Sequence, residues 1–300
     1  KAESKHKAKK PRSGTFGAAI ISYRSSPDFI TLRERTKRDY ELVMDYLGGL
    51  ADMPISEITQ KFVIDVRDKA FKQKKRRFAN YTVSVLSVIL GHAAERGMIP
   101  INPAKGTRKI KKRMDEPEAN AAWLDEEKQA VLEFAPLHMK APIAVARWLG
   151  LRQGDILALP KTCYRNGLII VKTSKTGTLL RLPVEGELKA ILDTIPDHNA
   201  LTLFANSKGT PWSADGFRSV FFKLLRKLEL EEKIRKGLTF HGLRTSFAQE
   251  AALSGFDERQ TADALGHSDT KTTRGYIRNA VSGRNAATVV SMLSKQKHGK

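Results

Sequence analysis

The chain has 300 residues, 41% of them hydrophobic, and sets 53 Lys and Arg against 32 Asp and Glu for a formal net charge of +21. That length and apolar content allow two domains with cores of their own, while the charge selects a polyanionic partner, most simply nucleic acid. A membrane partner is disfavoured, since no apolar run nears the ~18 residues of a span, no signal peptide opens the chain and no sustained basic amphipathic helix stands out. The single cysteine, Cys163, excludes an internal disulfide and a Cys-cluster metal site and suits a reducing cytoplasm; it reads as a small hydrophobe at a strand edge.

Residues 1–15 read as a basic tail or linker, with six Lys or Arg against one Glu in the first twelve. The chain begins at Lys1, not Met, so a truncation is expected there. Residues 16–105 read as an all-helical domain. Tyr40, Val43, Met44 and Leu47 recur at i, i+3, i+4, i+7 before Gly48-Gly49 stops the helix; Ser56 is expected to cap a second helix with Ile58, Phe62 and Val66 on one face; Tyr81, Val85, Val88, Ile89 and His92 line a third that ends at Gly97. His92 falls on the buried face and reads as core. Basic runs accompany these helices: Arg33, Arg35, Lys37 and Arg38, then Lys72, Lys74, Lys75, Arg76 and Arg77. Lys and Arg outnumber Asp and Glu by 26 to 14 over residues 1–119, which favours a phosphate-tracking surface over a merely solvated face. Residues 106–120 follow Pro100 and Pro103 as a breaker-rich linker. Its basic run, Arg108, Lys109, Lys111, Lys112 and Arg113, suits a path along a phosphate backbone.

The second domain, residues 121–300, opens with a helix capped by Asp125 and another over 141–149 that stops at Gly150. Arg152 and Asp155 follow in Gly150-Leu151-Arg152-Gln153-Gly154-Asp155 and, taken alone, make a surface ion pair. The period then changes: 168–171 and 179–184 are rich in β-formers, Asn166-Gly167 is a hairpin signal and Lys175-Thr176-Gly177 the next turn, giving a small antiparallel sheet. Residues 185–235 return to helix, with Phe217, Val220, Phe221 and Leu224 as a core face; Trp212 and His198 carry no assignment. His241 and Arg244, three apart ahead of a helical run over 245–253, project from one helical face where a phosphodiester can meet both. Leu265-Gly266-His267 breaks the pattern, and a short helix over 270–277 carries Tyr276, nine residues beyond His267. Residues 286–293 form an apolar stretch before a basic tail.

The boxes His241-Gly242-Leu243-Arg244 and Leu265-Gly266-His267, with a tyrosine nine residues on, resemble the C-terminal half of the tyrosine recombinase (phage integrase) family. Gly150-Leu151-Arg152 is similar to that family's first arginine box, and the Ser174-Lys175-Thr176-Gly177 turn to its hairpin lysine, with Lys172 the competitor. The resemblance implies a mainly α fold with a small antiparallel β-sheet (α+β), in which a helical core-binding domain precedes a catalytic domain and the two close on duplex DNA as a clamp. It also implies site-specific recombination, by which a mobile element is integrated or excised, on double-stranded DNA as a homotetramer across two synapsed sites, with accessory DNA-bending proteins as possible partners and a nucleoid-associated, cytoplasmic location. Many members carry a further small DNA-binding domain ahead of the point where this chain begins. C-terminal tails in the family often dock on the neighbouring protomer; self-packing is the other reading for 286–293.

Strand cleavage by phosphoryl transfer needs a positioned nucleophile, charge neutralisation at the nonbridging oxygens and a proton for the departing oxygen. Arg152 and Arg244 can hold the phosphate bidentately, and Asp155 is expected to orient Arg152 through a charge-assisted hydrogen bond. His241 and His267 can donate to the same oxygens, or one of them takes the phenol's proton. The resemblance makes Tyr276 the nucleophile of a 3′-phosphotyrosine intermediate and Lys175 the acid for the leaving 5′-hydroxyl. No cofactor or metal is expected: the sequence has no Walker A loop, no His-Glu-x-x-His and no carboxylate cluster suited to two Mg²⁺ ions. Two other functions fit part of the pattern: a type IB topoisomerase-like relaxing enzyme, and a DNA-binding module that has lost catalysis.

Overall fold

The computed structural model describes residues 11–297, apart from the side chains of Asn279 and 286–297. It contains two compact units, divided between Glu116 and Pro117.

The first unit is helical. Thr15 caps α1 (Phe16–Arg24) and Ser26 caps α2 (Pro27–Ile30), each side chain accepting a first-turn amide. After α3 (Glu34–Tyr46) the Gly48-Gly49 pair gives only a 3-10 turn. Ser56 lies in a second such turn and does not cap the next helix; Thr59 does, accepting the Phe62 amide at 3.2 Å. The second and third expected helices are both present and run on from one another as α4 (Gln60–Glu95), meeting at a kink where Lys75 takes φ 68°, ψ 176°. Phe16, Val43, Leu86 and Ile89 close the core. His92 is buried as its position predicts, with Nε2 3.0 Å from both Ser22 Oγ and Arg96 Nε. The breaker-rich segment is tied to this unit: Arg67 donates to the Arg108 carbonyl at 2.7 Å, the Asn80 amide both donates to and accepts from the Ile110 backbone at 3.0 and 2.8 Å, and Arg76 pairs with Glu116 at 2.7 Å.

In the second unit, Leu124, not Asp125, is the cap of α5 (Asp125–Phe134): the buried Glu127 carboxylate accepts the Leu124 amide at 2.8 Å and also holds Arg235. α6 (Leu137–Leu149) buries Met139, Leu149 and the whole run 141–146, and packs against α8 (Gly186–Leu192) and α10 (Phe240–Leu253). After the short α7 (Gln153–Leu157), β1 (Tyr164–Arg165), β2 (Leu168–Lys172) and β3 (Leu179–Pro183) form an antiparallel sheet in that order. Asn166 and Gly167, at φ 51° and 71°, close its first hairpin in the conformation that such a two-residue turn requires. Cys163 is buried just before β1, and burial pushes its thiol up to about 11. Helix does not fill 185–235: an irregular stretch with isolated bridges at Thr202 and at Ala205–Pro211 separates α8 from α9 (Ala214–Leu230), whose Phe217 and Phe221 are core. α11 (Glu258–Leu265) and α12 (Thr270–Lys297) complete the unit, and α12 runs twenty residues beyond the expected 277. The side chains of the apolar stretch 286–293 lie outside the described residues. Among the described residues no helix is long and apolar enough to cross a membrane. The fold is mainly α with one small antiparallel sheet.

Candidate active site

Two glycines let the site's backbone close up. Gly150 ends α6 at φ 60°, and a Cβ there would lie 2.8 Å from both Leu265 Cδ2 and Phe247 Cδ1. A Cβ on Gly242 would come within 2.5 Å of the Ala121 carbonyl and 2.7 Å of Trp123 Nε1. Glycine at 242 therefore lets the segment entering α5 lie across the first turn of α10, where Trp123 Nε1 donates to the Thr239 carbonyl at 2.9 Å and Ser246 Oγ accepts the Trp123 amide at 2.7 Å. Thr239 caps α10, so His241 and Arg244 both belong to its opening turns.

Arg244 is 1% exposed. Its Nη1 donates to the Gly150 carbonyl at 2.6 Å, and its Nη2 to the Leu265 carbonyl at 2.8 Å and to His267 Nε2 at 2.7 Å. The guanidinium thus ties the loop after α6 to the end of α11. A guanidinium has no acceptor, so His267 Nε2 accepts and the ring proton sits on Nδ1, which donates to Thr273 Oγ1 at 2.7 Å. In this arrangement His267 holds Arg244 and does not offer Nε2–H to a phosphate oxygen. Burial, then Arg152, lowers Arg244 to about 10, so it stays charged at neutral pH.

Tyr276, on α12, places its hydroxyl 2.8 Å from His241 Nε2, and Gln249 Nε2 donates to its carbonyl at 3.1 Å. His241 and His267 are both pushed down to about 4, first by burial and then by the Arg244, Arg152 and Lys175 charges. Both rings are neutral at pH 7.

Arg152 heads α7, with Asp155 at the opposite end of its first turn. The expected hydrogen bond between them is not formed: Nη1 and Oδ2 are 3.9 Å apart, and the other Asp155 oxygen accepts the Ser174 amide at 2.8 Å. The carboxylate is therefore a charge neighbour of Arg152 and an anchor for the turn that carries Lys175. Lys175 is exposed at that turn, and its charge is felt by both histidines; Lys172, on β2, does not figure among the charges that shift them. Arg152 Nη1 and Arg244 Nε are buried donors with no hydrogen-bond partner among the described residues. Two such donors beside the neutral His241 ring and the Tyr276 hydroxyl form a site of strong positive potential suited to an anion.

Arg152, Lys175, His241, Arg244, His267 and Tyr276 thus gather in one site. Thr273 and Gln249 add to its hydrogen bonding and carry no signal in the sequence, because each acts only through a partner brought near by folding; Thr176, legible there only as part of a turn, adds a further bond. No group of three or more His, Cys, Asp or Glu among the described residues is placed to hold a metal ion. In the first unit, Lys72, Lys74, Lys75, Arg77, Arg108, Lys109, Lys111 and Lys112 are exposed, as is Arg33 at the start of α3. Arg35, Lys37 and Arg76 instead pair with Asp39, Glu34 and Glu116.

The sequence model of the phage integrase family matches residues 112–282. The integrase of Enterobacteria phage 434 is 27% identical over 241 residues, 75% of this chain and 65% of that protein. The tyrosine recombinase XerD of Staphylococcus saprophyticus is 40% identical over 75 residues, 25% of this chain and 24% of its own length. The chain therefore spans less than two thirds of these relatives. Among solved structures, a lambda integrase (75–356) dimer bound to a COC′ core site superposes with a TM-score of 0.74 at 21% identity, covering 86% of this chain and 97% of that one. The Tn1549 transposon integrase (82–397) in complex with circular intermediate DNA gives 0.75 at 18% identity, with 88% and 95% covered. With the family's sequence model spanning more than half of its length and its fold shared with those integrases, the chain belongs to the phage integrase family.

Proposed function

We propose that the chain is a site-specific DNA strand transferase that integrates or excises a mobile element through a 3′-phosphotyrosine intermediate. The observation that carries this reading is the Tyr276 hydroxyl 2.8 Å from the neutral His241 ring, beside guanidinium donors that have no hydrogen-bond partner among the described residues. In the reaction the Tyr276 oxygen bonds to phosphorus while its proton passes to His241 Nε2. The bond from phosphorus to the 5′ oxygen breaks, and that oxygen keeps the electron pair and takes a proton from the Lys175 ammonium. Arg152 and Arg244 neutralise the nonbridging oxygens, His267 holds Arg244 in place, and Asp155 anchors the Lys175 turn. A bound phosphate offsets the three cations that depress His241, so its basicity rises when substrate arrives. The phosphotyrosine bond keeps the energy of the broken one, and a 5′-hydroxyl of a second duplex reverses the step without metal or nucleotide.

The helical unit, residues 16–105 with the linker 106–120, serves as the core-binding domain, and 121–300 as the catalytic domain. Arg33, Lys72, Lys74, Lys75, Arg77, Arg108, Lys109, Lys111 and Lys112 meet phosphates, with Arg35, Lys37 and Arg76 contributing through their pairs. The working assembly is a homotetramer on two synapsed sites at the nucleoid, helped by DNA-bending proteins; a similar fold in a lambda integrase tetramer bound to a Holliday junction, TM-score 0.74 at 22% identity, supports the tetramer alone.

A nicked duplex carrying the element's end sequence tests the chemistry. Wild type is expected to become covalently joined to the 3′ phosphate in EDTA, leaving a 5′-hydroxyl, whereas Tyr276→Phe binds the same DNA and never attaches. Arg152→Ala slows attachment by ~10²-fold or more, as loss of a preorganised charge does. Cutting that needs Mg²⁺ and leaves no protein on the DNA would refute the reading. Attachment at unrelated sequences with relaxation of single plasmids would point to a topoisomerase, and binding without attachment to a silent module.

A further inference from the structure

The hairpin between β2 and β3 is braced at two adjacent points, one on either side of Lys175. Ahead of it, the Ser174 amide donates to Asp155. Behind it, Thr176 Oγ1 lies 3.0 Å from the Gly266 carbonyl, 2.6 Å from Thr173 Oγ1 and 3.0 Å from Thr178 Oγ1. A carbonyl only accepts, and a hydroxyl has one proton and two lone pairs. Thr176 therefore donates to Gly266, and the hydroxyls of Thr173 and Thr178 donate to Thr176. Thr173 in turn accepts the Thr178 amide at 3.1 Å, and its backbone closes the turn through Thr178 and Gly177 at 2.8 and 2.9 Å. Of the three hydroxyls in this chain, only that of Thr176 leaves the hairpin. It ends on the residue immediately before His267, where the fit is already tight: a Cβ on Gly266 would lie 3.1 Å from Thr173 Cγ2 and from Leu180 Cδ1.

Resting on the proposed role of Lys175 as leaving-group acid, we infer that Thr176 is the positioning residue for that acid, its hydroxyl pinning the root of Lys175 to the loop that presents His267. A lysine ammonium sits at the end of a four-carbon stem, so the space open to it is set by where its backbone root is held. With Ser174 and Thr176 both tethered, the side chain leaves from a fixed point between Asp155 on α7 and the backbone just ahead of His267. Displacement by about 1 Å costs on the order of 10²-fold in a reaction that depends on aligned groups. A bland alternative makes the same hydroxyl a fold-stabilising contact whose loss harms every step alike.

The two are separated by the leaving group. Thr176→Val keeps the side chain's shape and removes its proton, Thr176→Ser keeps the proton, and Lys175→Ala removes the acid. Each is assayed for covalent attachment on a nicked site with a normal 5′ oxygen and on one with sulfur at that bridging position, which departs as a thiolate without a proton. Expected are about 10²-fold slower attachment by Thr176→Val on the oxygen substrate, a rate near wild type on the sulfur substrate, and wild-type behaviour of Thr176→Ser on both. Thr176→Val equally slow on both substrates, or as fast as wild type on oxygen, overturns the inference while leaving Lys175 as acid, provided that Lys175→Ala is itself rescued by sulfur. Lys175→Ala unrescued by sulfur overturns the acid assignment and the inference with it.

Discussion

His241 and His267 are depressed by the same causes, burial first and then Arg244, Arg152 and Lys175, yet they touch different things. His241 faces the Tyr276 hydroxyl and His267 accepts from Arg244. Because each is about 4 in the folded chain and near 6.5 unfolded, the unfolded state binds more protons between those values, and stability rises with pH across them. The stability tied to the neutral rings is complete above pH 6.5 and is lost as pH falls through about 4. Urea unfolding followed from pH 7 to pH 4 should show a loss of up to about 3 kcal/mol per histidine, and His267→Gln should flatten its share. A denaturation midpoint that is level over that range would mean that the rings are not held neutral. Arg244→Lys, by contrast, has a direction that pH does not alter: one ammonium cannot span Gly150, Leu265 and His267, which lie on two different segments.

At the scale of elements, the kink in α4 falls between two helices that the sequence predicts, at a residue that nothing local marks. Lys75 at φ 68°, ψ 176° occupies a region that glycine adopts freely and other residues at a cost of order 1–3 kcal/mol. Lys75→Gly should therefore stabilise the first unit by about 1 kcal/mol, seen as a rise in Tm, whereas Lys75→Ala should give no gain; an equal rise for both would trace the effect to the lost charge. What was legible in the sequence follows the same division between local and distant causes. The Asn166-Gly167 hairpin, the stop at Gly150 and the spacing of His241, Arg244, His267 and Tyr276 are short-range patterns. The break at Lys75 has no Gly or Pro to announce it, since the run from Lys72 to Arg77 is uniformly helix-compatible. Thr59 and Leu124 displace Ser56 and Asp125 as caps by one to three residues, the usual uncertainty of an end set by tertiary contacts. Asp155 sits beside Arg152 as its spacing predicts, but its hydrogen bond goes to Ser174, nineteen residues on, which no local pattern encodes.

Over the whole molecule, a net charge of +21 makes the DNA binding of the proposed function a matter of counterion release. Binding to a duplex should weaken steeply as salt rises, with log K falling against log salt by about 0.9 for each phosphate contact. Replacing Lys72, Lys74 and Arg77 together by Gln should reduce that slope by up to about 2.7, while Arg35→Gln, whose partner Asp39 already shares its charge, should change it less. A slope unaltered by the triple variant would assign the phosphate contacts to other basic residues. The long α12 has a consequence of a different kind, in the timing of synthesis. Arg152, Lys175, His241, Arg244 and His267 all leave the ribosome before Tyr276, and the phenol reaches His241 only once α12 has docked on α10 and α11. In the proposed reaction, a nascent chain can thus hold a phosphate before it can cut one, and the capacity to break DNA arrives as the last event in building the site.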